Sequence, residues 1–336
     1  MNRKLVLTVT RGQNGFDDAG FPAAFERAGF DTINFDDRTF LWYEAHGRLE
    51  RIVRRALRSR QRDNFNRTLQ RYIETCRPAL LFAFKGDAIS VATVQAARNA
   101  GVRIVFLYPD LEPAVHGATY LNAIRQADMF LHTKPNLTEH FQRTIRPDAH
   151  FLYPVYDPAL VISPREMPTE RGLLVVAHHS PGKAELIRQI ATVDQFDIKI
   201  YGSGWGTDFP ANVKLGGPLF GPMVRDMQRN ATAVLGLLTE QLANFAAGDT
   251  VTARSVHVPA YGGLLLHQAT PDARVLYDSD EPLFADIPTL VAQMQGLVDS
   301  PAFRLAMAQR QQAAVLAKAT STDDVVSLIQ QVCQLV

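Results

Sequence analysis

The chain has 336 residues, 46% of them apolar and 21% charged, with 35 Lys and Arg against 34 Asp and Glu. That length suits two domains, and a net charge of +1 excludes the overall basic footprint of a nucleic-acid binder. No run of about 18 uncharged apolar residues occurs, and the opening Leu5-Val6-Leu7-Thr8-Val9 is too short for a secretory core, so neither membrane spanning nor export is expected. Cys76 and Cys333 stand far apart without His or Cys at ligand spacing, which predicts a reducing, cytoplasmic setting, no disulfide framework and no zinc site.

Lys4 to Thr10 reads as a strand ending in the turn Arg11-Gly12-Gln13-Asn14-Gly15, followed by a helix carrying Phe21, Ala24, Phe25 and Ala28. A second strand, Asp31 to Phe35, leads into a long polar helix from about Tyr43 to Cys76 that stops before Pro78. Leu49, Ile52, Val53, Ala56 and Leu57 form its one narrow apolar stripe. Residues 48 to 77 hold ten Arg against Glu50, Asp63 and Glu74, a local charge of about +7. Arg51, Arg55, Arg58 and Arg62 make a basic face, either solvated or a peripheral contact for an anionic lipid, acceptor or protein; no Trp or Phe precedes Phe65 within the helix to anchor it.

Three strand-helix alternations follow, with strands Ala79 to Phe84, Arg103 to Tyr108 and Met129 to Thr133. Strands that are nearly continuous in apolar residues and separated by helices predict a parallel sheet covered on both faces. Pro154, Pro158, Pro164 and Pro168 then mark a linker over 156–170. The pattern restarts with strands Gly172 to Ala177, Phe196 to Tyr201, Ala233 to Leu238 and Gly263 to His267, and with a turn or short helix at Val251 to Pro259. Helices Ile287 to Val298, Ala302 to Ala319 and Asp323 to Gln334 close the chain. The reading is thus a first doubly wound domain over 1–155, a second over 171–320, and a last helix within 321–336 that packs back on the first domain. Ligands are expected at the carboxyl ends of both sheets, in a cleft between the domains.

Two segments carry chemistry. Tyr201-Gly202-Ser203-Gly204-Trp205-Gly206 is a glycine-rich loop at a strand end, where the backbone can approach a bound group, although it is not a GxGxxG dinucleotide fingerprint. Thr252-Ala253-Arg254-Ser255-Val256-His257-Val258-Pro259-Ala260-Tyr261-Gly262-Gly263 sets a cation after a small polar turn, a His three residues on, and a Gly pair entering an apolar strand. This run resembles the donor-domain segment of GT-B glycosyltransferases, most of all the spore-maturation (CgeB-like) group, with Arg254, Ala260, Gly262 and Gly263 in register. Gly202 to Trp205 is similar to that family's Tyr-Gly-x-Gly-Trp turn. Tyr277 to Asp280 and Pro288 to Val298 are similar to its late strand and helix, and the likeness extends over about residues 171–312.

The resemblance implies a metal-independent transfer of sugar from a nucleotide-sugar to an acceptor hydroxyl, with no resident cofactor and with the acceptor, whether glycan, protein or lipid-linked, met by the first domain. Charge developing on the diphosphate would be met by Arg254 and Lys183, the latter in the turn Ser180-Pro181-Gly182-Lys183. Thr252, His257, Gly262, Gly263 and Gly202, Ser203, Gly204 and Trp205 would bind the donor; Arg11, Gly12, Asn14 and Lys85 would shape the acceptor side. Asp110, after a strand, or His116 in the same loop would be the general base. The chain departs from the family at His257, where relatives carry a Glu that accepts from donor hydroxyls. Imidazole keeps one acceptor, or is instead a helix-face residue bonded to a backbone carbonyl. The rival readings are a non-catalytic GT-B-like binding protein, or a GT-B enzyme of another reaction, such as a nucleotide-sugar epimerase or a polyol-phosphate transferase.

Overall fold

The computed structural model describes residues 4–11, 18–42, 47–167, 172–193, 196–239 and 247–335. Its contacts divide the chain into one unit of Met1–Thr133, Leu137–Leu152 and Ser321–Val336 and another of Lys134–Asn136 and Tyr153–Thr320.

In the first unit, strands β1 (Leu5–Val9), β2 (Asp31–Phe35), β3 (Leu80–Phe84), β4 (Arg103–Tyr108), β5 (Met129–His132) and β6 (His150–Phe151) form one parallel sheet in the order β2-β1-β3-β4-β5-β6. β3, β4 and β5 are buried almost throughout because helices cover both faces. These helices include α1 (Phe21–Arg27), α2 (Arg48–Cys76), α3 (Val91–Asn99), α4 (Ala118–Arg125) and α5 (Thr138–Thr144). α2 ends where Arg77 turns left-handed (φ 44°) ahead of Pro78, and only its C-terminal half buries side chains: Phe65, Asn66, Leu69 and Ile73.

The second unit repeats the plan with β7 (Gly172–Val176), β8 (Asp197–Tyr201), β9 (Val213–Gly216), β10 (Ala233–Gly236), β11 (Leu265–Gln268) and β12 (Leu283–Phe284), all parallel, in the order β12-β11-β10-β7-β8-β9. Alternation along β7 sends Leu173 and Val175 to one face and Leu174 to the other. The first face packs against α6 (Pro181–Ala191) through Ile187 and Ile190. It also packs against α10 (Ile287–Asp299) and the start of α11 (Pro301–Lys318). The second face packs against α8 (Ala253–Ala260) and α9 (Pro271–Tyr277), with Val256, Val258, Leu276 and Tyr277 buried there; α7 (Pro222–Asn230) lies beside α8. The last helix, α12 (Thr322–Val332), packs on α1 in the first unit, where Arg27 pairs with Asp323 at 2.5 Å.

The proline-rich stretch is not a free spacer. From Tyr153 it belongs to the second unit, where Tyr156 N–H donates to Thr320 O, Asp157 N–H to the Tyr261 hydroxyl and Gln312 Nε2 to Ile162 O at 2.8 Å. The prolines stop regular structure while side chains from α8 and α11 take up the backbone groups they leave. β6, β9, β12 and α9 are elements that the hydrophobic pattern did not announce, each only two to seven residues long.

Candidate functional site

The sheet order of the second unit places β10 and β7 side by side although β8 and β9 lie between them in sequence. At such a reversal the loops leaving neighbouring strands diverge to opposite faces and open a crevice at the carboxyl edge. A pocket of about 350 Å³ lies there, lined by Gly182, Lys183 and Leu186 of α6, Leu237, Leu238 and Thr239 after β10, Gly248 and Asp249, and Gln268 at the end of β11. Ser180 caps α6 by accepting from Lys183 N–H, and Pro181 takes the first helical position, where no amide is required. Lys183 is only 7% exposed, and its Nζ donates to Thr239 Oγ1 at 3.1 Å. On the opposite wall Asp249 accepts from Lys134 Nζ at 2.7 Å, both side chains being buried. Gln268 Oε1 accepts from Leu238 N–H at 2.7 Å.

Arg254, in the first turn of α8, reaches back to β10, where its Nη2 donates to Leu237 O at 2.8 Å beside the pocket wall. Thr252 is the N-cap of that helix, and its N–H donates to Ser255 Oγ. Ser255 Oγ in turn meets Nε2 of the fully buried His267 at 2.8 Å, while His267 Nδ1–H donates to Gln268 O. Burial pushes His267 down to about 4, with the Arg254 charge acting in the same direction and the Gln268 carbonyl against it, so the ring is neutral at pH 7. This chain of bonds ties the start of α8 to the ends of β10 and β11. Neither His267 nor Gln268, nor Asp249, stood out by sequence spacing.

The remaining donor-side residues serve the framework. His257 Nε2–H donates to Val155 O at 2.8 Å and the ring stacks on Tyr261, which is the backbone-carbonyl alternative rather than a ring turned to a ligand. Gly262 adopts φ +83°, and a Cβ there would stand 2.7 Å from Ile162 O; at Gly263 it would stand 2.8 Å from Val258 Cγ1. Both glycines admit close backbone packing and present nothing to the pocket lining. In the loop after β8, Gly202 (φ +147°) lies so close to β7 that a Cβ would fall 1.9 Å from Ala177 O. Trp205 Nε1 donates to that same carbonyl at 2.8 Å, and Ser203 Oγ meets His178 Nδ1 at 2.7 Å. Gly204 (φ +84°) brings the loop against His179, whose ring meets Trp205 edge-on. The loop thus packs on the segment that follows β7, and none of its residues is among those lining the pocket.

In the first unit, titratable side chains collect at the carboxyl ends of β3 and β4. Lys85 and Gly86 are both left-handed (φ 63° and 66°), a conformation costly for lysine. Lys85 Nζ pairs with Asp110 Oδ2 at 2.6 Å, and its carbonyl accepts the Tyr120 hydroxyl. His116 Nδ1 lies 3.3 Å from Asp87 Oδ2 and its Nε2 lies 3.3 Å from the Tyr108 hydroxyl. Burial opposes ionisation of Asp87, but the hydrogen bond and charge of His116, with Lys85 and Arg62, outweigh it and hold the carboxyl at about 2. Burial raises the Tyr108 phenol, so it stays protonated. Of the two base candidates, His116 is therefore oriented by a buried carboxylate, whereas Asp110 is half exposed and salt-bridged. Arg11 Nε lies 3.3 Å from Asp37 Oδ1; Gly12 and Asn14 fall outside the described residues.

Among the described residues no three His, Cys, Asp or Glu side chains come together as a metal site, and no helix is long and apolar enough to cross a membrane. Residues 180–330 match the model of the glycosyl transferase-like family. No curated protein matches the chain. Among solved structures, an α-glucosyltransferase in complex with UDP and a 13-mer DNA aligns at 9% identity over 99% of this chain and 100% of its own, with a TM-score of 0.62. AviGT4, a glycosyltransferase involved in avilamycin A biosynthesis, aligns at 13% identity over 98% and 97%, with a TM-score of 0.60. A Listeria monocytogenes structure assigned as a UDP-N-acetylglucosamine 2-epimerase aligns at 12% identity over 100% and 98%, with a TM-score of 0.56. With two six-stranded parallel sheets, each wrapped by helices, the chain has the paired Rossmann-like architecture of the GT-B glycosyltransferases, and its residues 180–330 are similar in sequence to the glycosyl transferase-like family.

Proposed function

We propose that the protein is a metal-independent glycosyltransferase that moves a sugar from a nucleotide-sugar to an acceptor hydroxyl. The observation that supports this most is the pocket at the β7/β10 reversal, bounded by the first turn of α6 and the buried Lys183. A diphosphate gains charge as its bond to the sugar breaks, and a buried ammonium at a helix N-terminus stabilises that charge more in the transition state than in the ground state. Arg254, bonded to the carbonyl of the lining residue Leu237, adds positive charge beside the pocket. Gln268, with its Oε1 held by Leu238 N–H, keeps its amide N–H donors for the donor molecule. On the acceptor side His116 is the candidate base for the acceptor hydroxyl of an inverting transfer, and the buried Asp87 carboxylate beside its Nδ1 would orient the ring and stabilise the imidazolium once the proton is taken. The finer likeness to the CgeB-like group rests on Arg254, Ala260, Gly262, Gly263 and the Tyr201 to Trp205 turn.

One observation favours a second reading. His257 spends Nε2 on Val155 O, so the group that replaces the family's ribose-binding Glu is committed to the framework, as suits an unusual donor or a binding protein without turnover.

The test is a thermal-shift screen with UDP, GDP, dTDP, ADP and CMP and their sugars, followed by transfer assays with the nucleotide that binds. A ligand at a hundred times its Kd adds about 2.7 kcal/mol, roughly 4 °C in a chain of this size. One nucleotide family should give such a shift, and Lys183→Ala should abolish it. No shift with any nucleotide would sink the donor assignment, and binding without transfer or hydrolysis would select the non-catalytic reading.

A further inference from the structure

The N-terminal half of α2 is a projecting amphipathic helix. From Arg48 to Arg60 no side chain is buried, and Leu49 is 78% and Ile52 58% exposed, although the other half of the same helix is anchored through Phe65, Leu69 and Ile73. Leu49, Ile52, Val53, Ala56 and Leu57 follow i, i+3, i+4, i+7, i+8 spacing and share one side. Arg51, Arg54, Arg55 and Arg58 fall on the opposite side, and residues 48 to 60 hold six Arg against the single acid Glu50. A helix built only for solvent would not carry five aliphatic residues in register.

The tertiary structure adds an aromatic residue that the helix itself lacks. Trp42 N–H donates to Gln61 Oε1 at 3.3 Å, and Gln61 stands one turn beyond Leu57 on the same line of the helix. The backbone of the 40% exposed Trp42 is thus held beside α2, about one turn past Leu57.

We infer that residues 48 to 60, with Trp42, form a docking surface for an anionic lipid bilayer, the stripe entering the headgroup boundary and the arginines meeting lipid phosphates. An aliphatic stripe with a strongly basic opposite face, and an exposed Trp tethered beside the same helix, is the pattern of helices that lie in a membrane interface. A second copy of the chain fits less well. Five aliphatic side chains over three turns fall far short of the roughly 800 Å² per partner that a stable interface buries, and each copy would bring the same surplus of positive charge. The assignment does not depend on the transferase reading.

The experiment is co-sedimentation of the full chain with vesicles of phosphatidylcholine alone or mixed with phosphatidylglycerol. Binding is expected to the mixed vesicles only, to weaken with added salt, and to fall about tenfold or more both in Arg51→Glu/Arg55→Glu/Arg58→Glu and in Leu49→Ser/Ile52→Ser. Circular dichroism melts should stay unchanged in both variants, because no altered side chain is buried. A wild-type protein that remains in the supernatant with mixed vesicles overturns the inference. So does vesicle binding that the aliphatic variant leaves intact, or a solution dimer that Leu49→Ser/Ile52→Ser dissociates.

Discussion

The two units share a doubly wound plan of six parallel strands, ordered 2-1-3-4-5-6 in the first and 3-2-1-4-5-6 in the second, and differ in what lies on the carboxyl edge of the sheet. In the first unit that edge carries the ion pair of Lys85 with Asp110 and two carboxylate-imidazole contacts, Asp87 with His116 and Glu112 with His140 at 3.0 Å. In the second it carries a pocket walled by a helix N-terminus and Lys183, and most polar groups around it, His267 and Thr252 among them, are neutral and hold the frame. A parallel sheet thus supplies only a place. The chemistry comes from the few residues that each strand-to-helix loop delivers there, which is why one architecture can offer a cluster of titratable side chains in one unit and a pocket beside a buried lysine in the other.

The sharpest way to break the second edge is Gly202→Ala. Its Cβ would collide with the Ala177 carbonyl, so the loop after β8 must leave β7; a loss of about 3 kcal/mol or more is expected in thermal denaturation. A melt close to wild type would show that this contact is not needed.

Acid should separate the two units. His267 has its folded value lowered to about 4 from 6.5, so between these values the unfolded chain binds the extra proton and stability falls as pH falls, by about 3 kcal/mol in all. Asp87, held at about 2 instead of 3.8, contributes stability that is present above about pH 4 and lost on descending through pH 2, about 2 kcal/mol. The chain has two tryptophans, Trp42 in the first unit and Trp205 in the second. In Trp42→Phe, fluorescence of Trp205 should report the earlier acid transition, and His267→Gln should flatten its slope between pH 4 and 6.5. In Trp205→Phe the Trp42 signal should change at lower pH, with Asp87→Asn removing that dependence. Coincident transitions at both probes would refute the separation.

The smallest effect belongs to Lys85→Ala. Its partner Asp110 is half exposed, so loss of the pair should cost under about 1 kcal/mol in urea denaturation while transfer activity, once assayed, falls by more than the stability change explains. A loss of several kcal/mol would make the pair a structural clamp instead.

The strand Arg103–Tyr108 is legible to the residue, because a buried parallel strand must be a continuous apolar or β-branched run closed by turn residues. β9 is not: its Val213-Lys214-Leu215-Gly216 lies at a sheet edge, half exposed, and has too few apolar residues to stand above background. Among site residues, Lys183 is legible because a Ser-Pro-Gly-Lys turn between strand and helix carries its own local signature. Asp87, Asp249 and Gln268 are not, since what marks each of them is a partner remote in the chain: His116, Lys134 and the amide of Leu238.

What the sequence alone determined is the succession of strands and helices, the two doubly wound halves and the GT-B resemblance, because these follow from local periodicity and short-range turn chemistry. Tertiary structure alone decided which side chains line the pocket and which are taken up by the framework. His257 keeps the position of the family's Glu, yet its ring goes to the carbonyl of Val155, 102 residues earlier. The backbone of Trp42 is held beside α2 by a bond to the Gln61 side chain, 19 residues later. Such bonds depend on distances in space that sequence spacing does not encode, and a polar group removed from water takes whichever partner the packed chain brings within reach.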